Sequence, residues 1–165
     1  MWVVIKFDKK KFGLFKEDLF KKLGKEIVIY RPKMIIQKLS KNKMNNKEID
    51  LLGDYLFCFH EDFLKSSHIH KLKFIRGSKY ILDGFHEFQE DIKKFIEKCK
   101  SLENEKGFIS QTFYETYINS SYKFSNGPFA ERIFKVISLQ KNKIEILMGN
   151  IKTRINKQEF LFKPI

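Results

Sequence analysis

His68-Ile69-His70 is the first place to look for chemistry, because two imidazoles recur there two residues apart. On a strand they would share a face and could supply half of a zinc site. On a helix the rings would diverge. A metal site needs further ligands, and no cysteine or acid cluster recurs at a matching spacing. Cys58 and Cys99 belong to no CxxC pair and sit among apolar residues, which reads as two buried thiols in a reducing compartment. Gly13, Gly24 and Gly53 are isolated, so no glycine-rich phosphate loop is formed. Paired acids and a nucleophile beside a base are also missing. The sequence therefore points to a binding protein: not an enzyme, with no metal and no cofactor.

Two groups of residues suit binding. Tyr55, Phe57 and Phe59 alternate along one apolar run, so a strand would put all three on one face. Such a row serves either a core or a docking surface. Lys38, Lys41 and Lys43 cluster in a polar stretch, where they would attract phosphates or form a solvated loop.

The elements that position these residues follow from periodicity. Trp2 to Phe7 is β-branched and aromatic, a buried first strand. Phe12, Phe15, Leu19, Phe20 and Leu23 recur at helical spacing with lysines between them, and Gly24 ends the helix. Strands are expected over Ile27–Tyr30, Met34–Leu39, Tyr55–His60 and Ser78–Leu82, with Ser40–Lys47 as an exposed hairpin tip and Leu64–Leu72 as a short helix. From Asp83, an N-cap, a second long helix places Phe85, Phe88, Ile92, Phe95, Ile96, Cys99 and Leu102 on one face. Residues from Ser101 to Gln111 read as the start of a linker, and Thr112 to Tyr117 could pack on either side of it. The order β-α-β-β-β-α-β-α gives an α+β N-terminal domain, an antiparallel sheet flanked by helices.

Beyond the linker the chain turns through Ser125-Asn126-Gly127-Pro128-Phe129-Ala130. Three apolar runs follow, Ile133–Leu139, Lys143–Met148 and Ile151–Ile155, separated by Lys141-Asn142 and Gly149-Asn150. Strands joined so closely pair with their sequence neighbours, as a small antiparallel sheet or barrel.

The totals fit a folded protein of one or two domains. There are 165 residues with 42% hydrophobic and 32% charged, and the net charge is +13 with a pI near 9.6. A polyanionic partner suits that balance, although a lysine-rich composition also arises from an AT-rich genome. Residues 118–165 hold 9 Lys+Arg against 3 Asp+Glu, so the excess is spread along the chain rather than concentrated in a tail. The apolar N-terminus is too short for a signal segment, and no apolar run approaches membrane-spanning length. Cytoplasmic localisation without membrane association is expected.

Three stretches resemble the NusG-like family of transcription elongation factors. Trp2 opens a β-branched strand, Leu51-Leu52-Gly53-Asp54-Tyr55-Leu56-Phe57-Cys58 matches the family's central strand motif, and Asn126-Gly127-Pro128-Phe129-Ala130 matches the turn that opens its C-terminal KOW domain. Arg76-Gly77, closing a short helix, also fits. The family's strand proline is replaced by Leu52 or Gly53, and its KOW glycine falls near Phe134. These departures, with the length and the Tyr55-Leu56-Phe57 form, resemble a specialised RfaH-type paralogue.

The resemblance implies residues 1–103 as the NusG N-terminal-like domain, 104–117 as linker and 118–165 as a small all-β SH3-like KOW barrel. It implies an elongation and antitermination factor that binds the RNA polymerase clamp through Tyr55 and Phe57. Ser66, Ser67 and His68 would reach the opposite side of the polymerase cleft. Lys38, Lys41 and Lys43 would lie near upstream or non-template DNA. Phe129, Ile133 and Phe134 lie near barrel loops that would recruit ribosomal protein S10 or Rho, although each also fits a core. A monomer is expected. An RfaH-type C-domain could also form a helical hairpin, but the β-branched residues and turns of 133–155 favour strands. The alternative is a KOW-type RNA-binding or ribosome-associated protein.

Overall fold

The computed structural model describes residues 1–40, 43–110 and 114–165, the side chains of 38–40, 66 and 67 excepted. The elements in order are β1 (Trp2–Phe7), α1 (Phe12–Leu23), β2 (Val28–Tyr30), β3 (Lys33–Ser40), β4 (Lys43–Asp50), β5 (Tyr55–Phe59), α2 (Ser66–Leu72), β6 (Ser78–Ile81), α3 (Gln89–Ser101), β7 (Phe108–Ile109), β8 (Ser121–Phe124), β9 (Ile133–Leu139), β10 (Lys143–Met148), β11 (Ile151–Asn156) and β12 (Phe162–Pro164). They form two compact units, Met1–Pro32 with Asp50–Lys98, and Lys33–Ile49 with Cys99–Ile165. The architecture is mixed α+β, and its strand pairs are antiparallel except for β3 with β7.

The first unit is a four-stranded antiparallel sheet in the order β2-β5-β1-β6. The β1–β5 register pairs Trp2 with Phe59, Val4 with Phe57 and Lys6 with Tyr55. Val3, Ile5, Phe7, Leu56 and Cys58 therefore share one face, where they form a core with Phe15, Leu19 and Leu23 of α1 and Leu72 of α2. Burial without a charged neighbour pushes the Cys58 thiol well above its ordinary pKa, so it packs as an inert apolar group. Pro32 and Leu51 close the unit where the β3–β4 hairpin leaves it: the Leu51 amide donates to the Pro32 carbonyl at 2.8 Å. Beside them Arg31 pairs with Asp50 at 2.7 Å and lies over Phe12, 4.2 Å from the ring centroid, while Lys9 reaches Asp50 at 3.0 Å. Burial works against the Asp50 carboxylate, but Lys9 and Arg31 outweigh it and hold its pKa below the ordinary value.

The long helix starts at Gln89 rather than after Asp83. Gly84 adopts φ +77°, which ends the extended chain in a turn, and Phe88 stays 56% exposed before the helix begins. The short helix likewise begins at Ser66, because Glu61–Leu64 form a separate 3-10 turn in which His60 Nδ1 accepts from the Asp62 amide.

In the second unit β3 and β4 form a ladder, so most of the expected polar tip is a strand. Residues 43–48 are exposed throughout, which removed the alternation that marks strands in a sequence. β3 also pairs in parallel with β7, a two-residue strand within 104–117. The C-terminal strands form a five-stranded sheet in the order β11-β10-β9-β8-β12. The expected strands thus form, and the helical hairpin does not. A closed barrel is not found: among the described residues no ladder joins edge strands β11 and β12, which pair with β10 and β8. The core of this sheet is Tyr122, Phe124, Phe134, Val136, Ile144, Ile146, Ile155 and Phe162. Gly127 takes φ +76° in the Asn-Gly-Pro turn, where a side chain would be strained.

Phe134 is 1% exposed and packs 4.4 Å from Phe124 and 5.3 Å from Phe162, centroid to centroid. Phe134→Ala is expected to lower the unfolding free energy by about 3–5 kcal/mol, measured by urea denaturation. A change near zero would place this ring outside the core.

Candidate interaction site

The strand parity that builds the first core leaves a second sheet face of unusual composition. Val28 and Tyr30 come from β2, Tyr55, Phe57 and Phe59 from β5, Trp2, Val4 and Lys6 from β1, and Tyr80 from β6, which pairs with Lys6. Part of this face is covered by α3. Phe95 packs 5.7 Å from Phe57, and Trp2 and Tyr30 pack against the same ring at 6.4 and 6.3 Å. Gln89 acts like a strand at the end of β1: the Trp2 amide donates to its Oε1 at 2.9 Å, and its Nε2 donates to the Trp2 carbonyl at 2.7 Å. Phe57 is therefore only 5% exposed and supports the face from beneath.

The uncovered part is the corner at Tyr55 and Tyr80. Their hydroxyls are 2.7 Å apart, and Tyr80 is 47% exposed. The Lys6 ammonium lies 5.3 and 5.5 Å from the two ring centroids and 3.8 Å from Asp54. Asp54, followed by the two tyrosines, raises the Lys6 pKa, so this cation stays charged at any physiological pH. The Tyr80 hydrogen bond raises the Tyr55 pKa, so that phenol stays neutral. The corner combines flat apolar rings, hydroxyls and one fixed cation, a composition suited to docking a protein surface. Tyr80 was not legible as part of it, since the β1–β6 register is needed to bring it beside Tyr55.

A different surface of the unit is strongly cationic. Residues 9–25 carry seven lysines against Glu17 and Asp18, and residues 71–79 carry Lys71, Lys73, Arg76 and Lys79 with no acid. Tertiary contacts join these segments. Arg76 donates from Nε and Nη2 to Asp18 at 2.9 and 2.7 Å, and its amide donates to the same carboxylate at 3.1 Å. Lys22 Nζ donates to the Phe74 carbonyl at 2.8 Å. Glu17 is occupied by Lys21 at 2.7 Å, so both acids of α1 are already paired. Phe74 projects from this surface with 77% of its area exposed. Cations around an exposed ring suit a phosphate backbone with an unstacked base. The sequence signal was present in Lys9-Lys10-Lys11 and Lys73-Phe74-Ile75-Arg76, but only folding brings the two runs together.

The remaining sequence candidates are dispersed. His68 lies on α2, partly buried, with Nε2 3.8 Å from Asp62. Ser66 and Ser67 form the first turn of α2, and their side chains lie outside the described residues. His68 and His70 diverge on this helix, and among the described residues no group of three His, Cys, Asp or Glu could hold a metal. Lys43 begins β4 and is exposed, Lys41 lies outside the described residues, and Lys38 is described as β3 backbone alone. Phe129 packs partly buried against Phe124 and Phe160, whereas Ile133 is 57% exposed at the start of β9. No helix among the described residues is long and apolar enough to cross a membrane.

No family model matches the chain, and no curated protein matches it. Among solved structures it is similar to conformation B of the MjSpt4:Spt5 complex, at 13% identity over 100% of this chain and 98% of that chain, with a TM-score of 0.31. It is similar to conformation A of the same complex at 13% identity over 99% of each chain, with a TM-score of 0.28. It is also similar to Thermotoga maritima NusG, in a structure of its domain interaction, at 11% identity over 99% of this chain and 96% of that chain, with a TM-score of 0.33.

The Asp18–Arg76 pair that joins the cationic segments should be visible in acid. Hydrogen bonds from the Arg76 side chain and backbone hold the Asp18 pKa far below its ordinary 3.8. A depressed carboxylate stabilises the fold fully above its unfolded pKa, and that contribution is lost as pH falls through the folded one. Thermal melts of Asp18→Asn should therefore lie below wild type by a constant margin above about pH 5, with the margin shrinking below about pH 4. A margin independent of pH would show that the pair contributes through packing alone.

Proposed function

We propose that this chain is a NusG-like transcription elongation factor that binds RNA polymerase through the aromatic sheet face of its first unit. The observation that carries this reading is the Tyr55–Tyr80 corner. A folded sheet that has already buried one face keeps rings, hydroxyls and a cation exposed on the other. The Trp2 strand, the Tyr55-Leu56-Phe57 strand and the Asn126–Ala130 turn support it by their resemblance to that family. A helical hairpin of the polymerase clamp would lay apolar side chains on Tyr55 and Tyr80, with Phe57 holding the surface rigid below them. The start of α2 at Ser66, Ser67 and His68 would meet the opposite side of the cleft, so that the bridged clamp stays closed and pausing and termination are suppressed.

On this reading the cationic surface of α1 and residues 71–79 runs along nucleic acid, and Lys38, Lys41 and Lys43 add phosphate contacts at the β3–β4 hairpin. The C-terminal sheet, a KOW-type domain in character, recruits S10 or Rho through exposed Ile133 and neighbouring Phe129. The protein acts as a cytoplasmic monomer, and its departures from the family motifs suit an RfaH-type specialised role. A second reading is favoured by the charge alone: a KOW-type RNA-binding protein that uses the cationic surface and Phe74 without polymerase.

Binding of the full chain to core RNA polymerase separates the two. Tyr55→Ala/Tyr80→Ala should raise Kd roughly 30-fold or more while leaving the melting temperature near wild type. Wild-type affinity in the double variant would remove this corner from the interface. A wild type that ignores polymerase but binds structured RNA would establish the second reading. For either nucleic-acid contact, Lys10→Gln/Lys71→Gln/Lys73→Gln should lower the slope of log K against log salt by roughly 2–3. An unchanged slope would place the phosphates elsewhere.

A further inference from the structure

Asn126-Gly127 is the only Asn-Gly pair in the chain. Such a pair can modify itself. The amide nitrogen that follows an asparagine can attack the side-chain carbon Cγ, and a glycine leaves that nitrogen unshielded because it has no Cβ. The fold uses both residues. Asn126 Oδ1 accepts from the Leu161 amide at 2.9 Å, which holds the chain before β12. Gly127 takes φ +76°, and a Cβ there would lie 3.4 Å from the Phe160 ring. The turn therefore carries a reactive pair whose glycine cannot be exchanged without strain.

Two hydrogen bonds act on this chemistry in opposite directions. The Leu161 amide bonds to Oδ1, the atom that would carry negative charge after the attack, so it stabilises that charge. Gln37 Oε1 accepts from the Gly127 amide at 2.9 Å, so the attacking nitrogen is held by its own N–H and turned towards β3. Gln37 is itself fixed. Its backbone amide donates to the Ser125 carbonyl at 2.7 Å, and its Nε2 donates to Asn46 Oδ1 at 3.2 Å, which leaves Oε1 facing Gly127. A cleft of about 230 Å³, lined by Gln37, Asn46, Asn104, Asn126 and Gly127 among others, gives water access to the turn.

We propose that Asn126 is a self-modification site, and that Gln37 of β3 guards it by holding the Gly127 amide. When Gln37 lets go, the Gly127 nitrogen bonds to Asn126 Cγ and gives its proton to solvent. The side-chain nitrogen takes up a proton and leaves as ammonia, which closes a cyclic imide. Water then opens the imide at either carbonyl, giving aspartate or isoaspartate. One water is consumed, one ammonia is released and nothing is oxidised or reduced. In isoaspartate the main chain runs through the former side chain and is a methylene longer, so the bond to Leu161 and the turn geometry are lost. A reversible opening beside β3 thereby becomes permanent.

Peptide mapping of the full chain, aged in mildly alkaline buffer, tests this. Trypsin releases Phe124–Arg132, in which Asn126 is the only side-chain amide, and a separate peptide that holds Asn119-Ser120. Wild type should convert Asn126 far more slowly than a synthetic peptide of residues 124–132. Gln37→Met, which keeps the length of the side chain but offers no oxygen, should convert it roughly 5-fold faster than wild type, the change in local opening caused by losing one hydrogen bond. Asn119 should keep its wild-type rate in the same sample. Isoaspartate should accompany aspartate in the product. Wild type reacting at the rate of the synthetic peptide would overturn the proposal, as would equal rates in wild type and Gln37→Met. Faster conversion at Asn119 as well would show general loosening in place of a guard. Aspartate without isoaspartate would show direct hydrolysis without attack by Gly127, and would overturn it too.

Discussion

The parity of the β1–β5 register is the constraint on which the first unit depends. With Val4 opposite Phe57 and Lys6 opposite Tyr55, one set of side chains enters the core beneath α1 and α2. The other set must form a second face. A slip of one residue would exchange Val3, Ile5, Leu56 and Cys58 with Trp2, Val4, Tyr55 and Phe57, placing the Lys6 charge in the core. The aromatic surface is thus not an addition to the fold. It is the complement of the core, partly sealed by α3 through Phe95 and Gln89 and left open at Tyr55 and Tyr80.

Charge is handled differently on the two surfaces of this unit. At the neck of the β3–β4 hairpin, Asp50 is largely enclosed and is balanced by two cations, with the Arg31 guanidinium resting on Phe12. Such a pair sets geometry more than it adds stability, because desolvation offsets most of the attraction. On α1 the acids are already committed to Lys21 and Arg76, and of the surrounding lysines Lys9 is balanced by Asp50 and Lys79 by Asp54, so the surface keeps a net positive field. A net positive field raises encounter rates with polyanions and is weakened by salt. Lys79 links the cationic segment to the aromatic corner, since it lies 3.8 Å from Asp54, as Lys6 does.

The second unit is organised by hydrogen bonds at its Asn-Gly-Pro turn as much as by its aromatic core. Gln37 of β3 donates its amide to the Ser125 carbonyl at 2.7 Å and accepts from Gly127 with its side chain. Asn126 holds the chain before β12 through Leu161. One short turn thus ties the hairpin, the C-terminal sheet and the last strand together, which explains why residues 33–49 group with Cys99–Ile165. Such a tie fixes the amides that line the neighbouring cleft.

Much of this was legible without coordinates. Apolar and β-branched runs bounded by turn residues placed β1, β5, β9, β10 and β11 within a residue or so. Helical spacing located α1. Local signals failed where structure is made by partners. β4 is polar because both of its faces are wet, β7 is two residues long, and β12 exists only because β8 offers it an edge. The division between buried Phe57 and open Tyr55 depends on where α3 crosses the sheet, which no periodicity encodes. Tyr80 beside Tyr55, Arg76 on Asp18 and three asparagines around one cleft bring together residues 22 or more positions apart in sequence. Composition and spacing determined that this chain folds as α+β. Register and helix placement, which arise from long-range packing, decided which of its rings and cations are buried and which stay exposed.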